Sequence, residues 1–263
     1  MLDPMASFEV KTIIPLHIFG FDISITNSSL YMILVVGVIC VVFAIGTSKA
    51  RVIPNKLQYC LEKIYYFIED VVEHNVDANA MKVFPYILSL FLFIMMGNVV
   101  GLLPYAFSFT SQLVVTIGMA VLVFIASILI GLYNQGIRYF RHFCPDGIPG
   151  YLAPFFIVVE LMSFLFRPIS LGIRLFANMV SGHIMIKVIA GFAVSLAGTV
   201  LLSAFSIIPV VVNVLLDMFK LVVCILQAYV FAVLSCIYLS ESLVSHDRDS
   251  NRSLNNSNIR KEI

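Results

Sequence analysis

Of the 263 residues, 60% are hydrophobic and only 12% charged, with a mean hydropathy of +1.01. A soluble domain runs nearer half apolar and a quarter charged, so this composition excludes one and indicates an integral membrane protein. The formal net charge of +1 gives no electrostatic case for binding nucleic acid.

Residues 1–28 carry Asp3, Glu9 and Asp22 and lack a basic start followed by an apolar core. An extramembrane segment is expected there and not a signal peptide, so targeting falls to the first span. No charge occurs between Asp22 and Lys49, and a crossing is predicted over about 29–48, long enough for a hydrocarbon core of roughly 30 Å. In 54–80, Leu57, Leu61, Ile64, Ile68, Val71 and Val72 recur at helical spacing between Lys56, Glu62, Lys63, Glu69, Glu73 and Asp77. That pattern predicts an amphipathic helix on the membrane surface or against a partner.

From Val83 to Ile137 there is no Asp, Glu, Lys or Arg. The stretch is too long for one crossing, and Pro104 with the polar run Ser108–Gln112 divides it into spans at about 85–103 and 113–134. "RYFRHFCPDGIPG" then reads as an exposed loop. Two long apolar segments follow, about 151–190 and 200–243, joined by "GFAVSLAGTV". The polar tail 244–263 is expected to be disordered. The predicted fold is thus an all-α integral membrane protein, with one membrane domain over 29–243. It has about five membrane-crossing helices, the last two long and steeply tilted, and one surface amphipathic helix.

The five cysteines, Cys40, Cys60, Cys144, Cys224 and Cys236, show no metal-ligand spacing, and three lie in apolar runs where a thiol behaves as a small hydrophobe. No metal, cofactor or disulfide is expected. Lys49, Arg51 and Lys56 follow the first span, and Arg138 and Arg141 the third, whereas 104–112 has no basic residue. Positive-inside bias therefore puts the N-terminus outside and, after five crossings, the C-terminus inside.

A helix over 151–188 would be about 57 Å long, nearly twice the hydrocarbon thickness, and must tilt steeply or kink at Pro168. Pro209 is the expected start of the last helix. Glu160, Ser163, Arg167, Ser170, Asn178 and Ser181 all fall within about 40° of Arg174 on such a helix. They form one polar stripe, with His183 and Lys187 near the opposite face. On the last helix Lys220, Asn213 and Tyr238 fall within about 40° of Gln227, and Asp217 at about 80°. Ser and Asn in such stripes often only bridge helices, and Arg167 and Lys187 can reach an interface along their stems. Arg174 is different. It lies mid-segment with no carboxylate three or four residues away, and an arginine at the bilayer centre costs about 2.5–3.5 kcal/mol on insertion scales.

"SLGIRLFANM", the "SGH" after it, and "LQAYVFAVLSCIYL" strongly resemble subunit a of the F-type ATP synthase. "FEVKTIIPLHIFGFDISITNSSLYM" and "GNVVGLLPYAFSFTSQLVVT" resemble its alphaproteobacterial and mitochondrial branch, and the likeness runs over nearly the whole chain. The resemblance implies a non-catalytic, proton-translocating stator subunit. Its partners would be a ring of small hairpin subunits (subunit c), the peripheral-stalk subunit b and membrane lipid. The membrane would be the bacterial inner membrane or the mitochondrial inner membrane. Two aqueous half-channels would meet the ring, with Arg174 as the fixed cation between them. Asn178, Glu160 and Gln227 match positions associated with the proton path. His183 matches a histidine whose usual partner is a carboxylate on the last helix. Here that position holds Lys220, and either Lys220 or Asp217, about one turn earlier, would take over.

Two other classes fit less well. A secondary transporter is disfavoured by five spans without paired repeats. A membrane-embedded hydrolase would need a nucleophile–base or metal motif, and HExxH and GxSxG are absent from the sequence.

Overall fold

The computed structural model describes residues 12–15, 17–18, 21–22, 24–48, 51–76, 80–103, 106–136, 153–198 and 206–259. The loop expected at 137–150 lies outside the described residues, whereas most of the expected joint at 191–200 is helix, because the first long helix runs on to Ala197.

Ahead of the first span are two small antiparallel pairs, which the sequence reading does not anticipate. β1 (Thr12–Ile14) pairs with β4 (Ile25–Thr26), and β2 (His17–Ile18) with β3 (Phe21–Asp22). β-Branched Thr12, Ile13, Ile14, Ile25 and Thr26 suit a pleated ribbon, but strands this short carry no readable alternation. Thr26 also starts α1 (Asn27–Thr47) through a reciprocal cap. The Thr26 backbone N–H donates to Ser29 Oγ at 2.9 Å, and the Ser29 backbone N–H to Thr26 Oγ1 at 3.4 Å. Two donors that lack helical partners are thereby satisfied.

α2 (Lys56–Asn75) is the amphipathic helix. Its first turns lie against α1 at Gly46, where an added Cβ would fall 2.8 Å from Leu57 Cδ2. Ile68, Val71 and Val72 are buried, so that face is covered by the chain itself; the sequence alone left it to membrane or partner. Tyr65 meets Phe84 edge-on, with ring centroids 4.7 Å apart.

α3 (Ala80–Leu102) and α4 (Leu113–Gln135) are separated by a 3-10 turn at Phe109–Ser111. Phe109 is fully buried, with its ring against Gly97 and 5.3 Å from that of Phe93. α5 (Ala153–Ala197) and α6 (Ile207–Ile259) follow. α5 continues as helix through Pro168, where the sequence suggests a kink. The proline removes one backbone bond, and a membrane helix tolerates that loss. α6 starts two residues before Pro209, placing the ring in the first turn where its missing N–H costs nothing. The helix runs on to Ile259, where the sequence reading expects disorder. Extending a formed helix needs no new nucleus.

Among the described residues, five helices are long and apolar enough to cross a membrane: Asn27–Thr47, Lys82–Leu102, Leu113–Tyr133, Ile157–Leu196 and Ile207–Ser240. At 45 residues α5 is about 67 Å long, more than twice the hydrocarbon thickness. Large apolar side chains such as Ile33, Leu122, Val194 and Phe219 stay exposed on these helices, as lipid-facing positions require.

The chain divides into two compact units. The first is drawn from Met1–Glu62, Ser89–Thr116 and Ile173–Val230; Val35, Ile94, Phe109, Leu175, Met179 and Cys224 are among its buried residues. The second comprises Lys63–Leu88, Ile117–Gly172 and Phe231–Ile263, with Ile68, Val72, Ile87, Val123, Leu171 and Leu239 buried.

Candidate functional site

The first unit holds most of the ionisable residues singled out by the sequence. In α5, Leu175 and Met179 are fully buried, four residues apart on one stripe. Arg174 and Asn178 each precede one of these by a single residue, about 100° around the helix. That rotation turns Arg174 outward, and it is exposed. No hydrogen bond or ion pair to its guanidinium occurs among the described residues. Asn178 is half-buried, and its backbone carbonyl accepts from Ser181 Oγ at 3.3 Å.

α6 turns its polar face the other way. Lys220, Cys224, Gln227 and Ala228 are buried, at the three- and four-residue spacing of one helix face. The Lys220 stem lies across Gly182 of α5: a Cβ there would fall 2.6 Å from Lys220 Cε and 3.3 Å from Nζ. A methyl here would push the end of the lysine stem aside. One turn further along, Cys224 Sγ is 3.6 Å from Met179 Sδ. His183, next to Gly182, is half-buried and within electrostatic reach of Lys220 and Lys187. Asp217 is exposed and within electrostatic reach of Lys220. Lys220 is therefore the α6 group beside His183, and the two basic groups repel whenever both are charged.

Glu160 and Arg167 belong to the second unit, and both are half-buried. There the Arg167 guanidinium carbon sits 6.0 Å from the centroid of the Tyr238 ring, at the outer limit of a cation–π contact. The sequence reading puts Arg167 and Tyr238 on the polar faces of the two long helices, and the structure brings these two together.

A residue the sequence reading passed over completes the first unit. Asn98 on α3 is fully buried and donates from Nδ2 to the Cys224 carbonyl oxygen at 3.4 Å. Its signal in the sequence is a lone amide in the apolar run "FLFIMMGNVVGLL", between Gly97 and Gly101. Small residues four apart let helices approach closely. Here Gly97 receives the Phe109 ring and Gly101 the Ser108 side chain, with Met179 Cε 3.3 Å from where its Cβ would be. Among the described residues of this unit, buried atoms without a hydrogen-bond partner include Ser28 Oγ, Asn98 Oδ1, Asn178 Nδ2, Asn213 Oδ1, Lys220 Nζ and Gln227 Nε2. Most buried polar atoms in proteins are paired. Among the described residues no group of His, Cys, Asp and Glu is arranged to hold a metal.

A family model described as ATP synthase A chain matches residues 29–240. The chain belongs to this family. Three proteins named ATP synthase subunit a are similar to it over nearly their whole length. That of Rhodospirillum rubrum is 44% identical over 94% of this chain and 100% of its own. That of Afipia carboxidovorans is 42% identical over 92% of this chain and 98% of its own. The Gluconobacter oxydans protein is 42% identical over 92% and 97% respectively. Membership makes this chain a multi-pass, non-catalytic component of the ATP synthase membrane sector, in the family that translocates protons there. Glu160, Arg174, Asn178, His183, Asp217, Lys220 and Gln227 all lie inside the matched region.

Proposed function

We propose that this chain is the stator half of a rotary proton pathway. It supplies two aqueous half-channels to an adjacent ring of small hairpin subunits (subunit c), each with one carboxylate in the membrane. The peripheral-stalk subunit b holds the chain against rotation. The relatives are alphaproteobacterial, which favours a bacterial inner membrane.

Arg174 carries the reading. It is a permanent cation in an apolar helix, turned away from the chain's own core, with no counter-charge among the described residues. An arginine in this setting needs an external anion, and its guanidinium stays charged at any working pH. A ring carboxylate arriving opposite it is stabilised as the anion and must release its proton first. The same fixed charge opposes direct passage of protons between half-channels, so flow is coupled to rotation. Asn178 and Gln227 offer hydrogen-bonding groups along the path, and Glu160 a carboxylate that can take up and release protons. His183 and Lys220 form a basic pair in the position where the family commonly pairs histidine with a carboxylate, with Asp217 within electrostatic reach of Lys220.

The test is Arg174→Ala, measured as proton-driven ATP synthesis in inverted vesicles, with assembly checked by co-purification of the ring. Synthesis is expected to be lost in an assembled complex. Arg174→Lys is expected to recover little, because lysine lacks the planar fork of donors and loses its charge readily on burial. Near-normal synthesis in an assembled Arg174→Ala complex would overturn the assignment.

A further inference from the structure

The amine of Lys220 lacks an acceptor in either of its charge states. The residue is only 5% exposed, and its Nζ has no hydrogen-bond partner. An ammonium taken out of water is strongly unfavourable unless an anion compensates it. The neutral amine is still a polar group, costly to bury without a hydrogen bond. An acceptor is required whichever state is held.

The charges nearby decide what kind of acceptor. Lys220 Nζ lies 3.3 Å from where a Cβ of Gly182 would be. Lys220, His183 and Lys187 are all within electrostatic reach of one another. Asp217, also within reach of Lys220, is exposed. Basic groups therefore outnumber carboxylates around the buried ammonium. Asn178 lies one turn before Gly182 on the same face of α5, and its Nδ2 is a further buried donor without a partner. Cβ atoms so spaced are about 5–6 Å apart, which keeps Asn178 Cβ within about 9 Å of Lys220 Nζ. A water molecule could accept from either nitrogen, but an anion also gains from every positive charge present.

We infer that the buried end of Lys220 is a binding site for one small monovalent anion of the halide class, held by the ammonium beside Gly182 with the Asn178 amide as the neighbouring donor. Size and charge follow from burial. At 5% exposure the head group is closed to a lipid phosphate or a peptide carboxylate. Desolvation rises with the square of the charge, so a halide enters where sulfate or phosphate does not. Binding of this ion does not depend on the stator function proposed above.

The test uses the whole complex in nanodiscs of zwitterionic lipid and reads the temperature at which this chain is released from it. Sodium chloride or sodium bromide is exchanged for sodium gluconate at constant ionic strength. Either halide should raise the midpoint saturably, by about 2–4 °C at several times its dissociation constant. Sodium sulfate at the same ionic strength should not. Lys220→Met keeps the stem but removes the cation, and the halide-dependent rise should vanish. Asn178→Ala should weaken halide affinity several-fold. Halide effects on other subunits are common to parent and variants, so the difference between them isolates this site.

Equal midpoints in chloride and gluconate overturn the inference, as does a full halide response in assembled Lys220→Met. Should Lys220→Met not assemble, Gly182→Ala takes its place. Its methyl displaces the lysine end, and halide affinity should fall about ten-fold; an unchanged affinity overturns the site. Anionic lipid added to the nanodiscs should leave the response as it was. Loss of the response there would assign the ammonium to a lipid phosphate, and equal stabilisation by sulfate would mean ionic screening only. Either result overturns the halide site.

Discussion

At the scale of single residues, the contact most open to experiment is Lys220 on Gly182. An added methyl at position 182 would sit 2.6 Å from Lys220 Cε, so the flexible end of the buried lysine must shift to admit it. Gly182→Ala is expected to lower proton-driven synthesis several-fold, roughly 1 kcal/mol in the barrier. Combining it with Lys220→Ala removes the stem that the methyl meets, so the double variant should fall short of the sum of the two losses. Two contacting residues couple in this way, whereas independent sites add. Strict additivity in a double-mutant cycle would show that the two side chains do not share this space. Arg174 behaves differently, because its neighbours within the chain place no such limit on it. Its loss is predicted to act on coupling with assembly intact.

At the scale of elements, the 3-10 turn Phe109–Ser111 is more than a connection between two crossings. Phe109 fills the room left by Gly97 and contacts Phe93, while Ser108 covers Gly101. Ser111 Oγ donates to the Ser108 carbonyl, and Ser108 Oγ lies 3.2 Å from Thr110 Oγ1, which closes the turn on itself. The packed turn therefore fixes the last two turns of α3, which carry Asn98. Phe109→Ala should destabilise the protein by about 2–3 kcal/mol. That lies at or below the low end of the range for a deleted core phenylalanine, because in lipid the lost packing remains while much of the transfer term disappears. A lower thermal midpoint in detergent, with synthesis reduced in proportion to the folded fraction, is the expected result. An unchanged midpoint would show that the turn carries no packing load.

At the scale of the whole molecule, orientation follows from where the basic residues lie. Lys49, Arg51, Arg138 and Arg141 fall on one side of an odd number of crossings, which predicts an outside N-terminus and an inside C-terminus. Leu103 is well exposed beyond the end of α3, which makes it the better labelling site than the buried Ser108–Ser111. Single cysteines at position 103 and within 247–255, in a background with the native cysteines replaced by serine, should label from opposite faces of intact cells or vesicles. Labelling of both from the same face would reverse or break the topology.

Much of this protein was legible without coordinates, because the bilayer turns composition into structure locally. A charge-free run of about twenty residues is a crossing wherever it occurs. The apolar period of α2 was visible because alternation with charge every three or four residues has one regular solution. The anomaly of Arg174 was legible for the same reason: an uncompensated charge in such a run is costly whatever surrounds it. Helical arithmetic also grouped Lys220 with Gln227, and Arg174 with Asn178. What it leaves open is which way each face turns. For a soluble helix, water breaks that tie by drawing the polar face outward. In lipid it does not, and rotation is set by how side chains fit the neighbouring helices. The tertiary structure therefore had to decide that Lys220 turns in over Gly182, that Asp217 and Arg174 turn out, and that a lone asparagine on α3 reaches the backbone of α6 at Cys224.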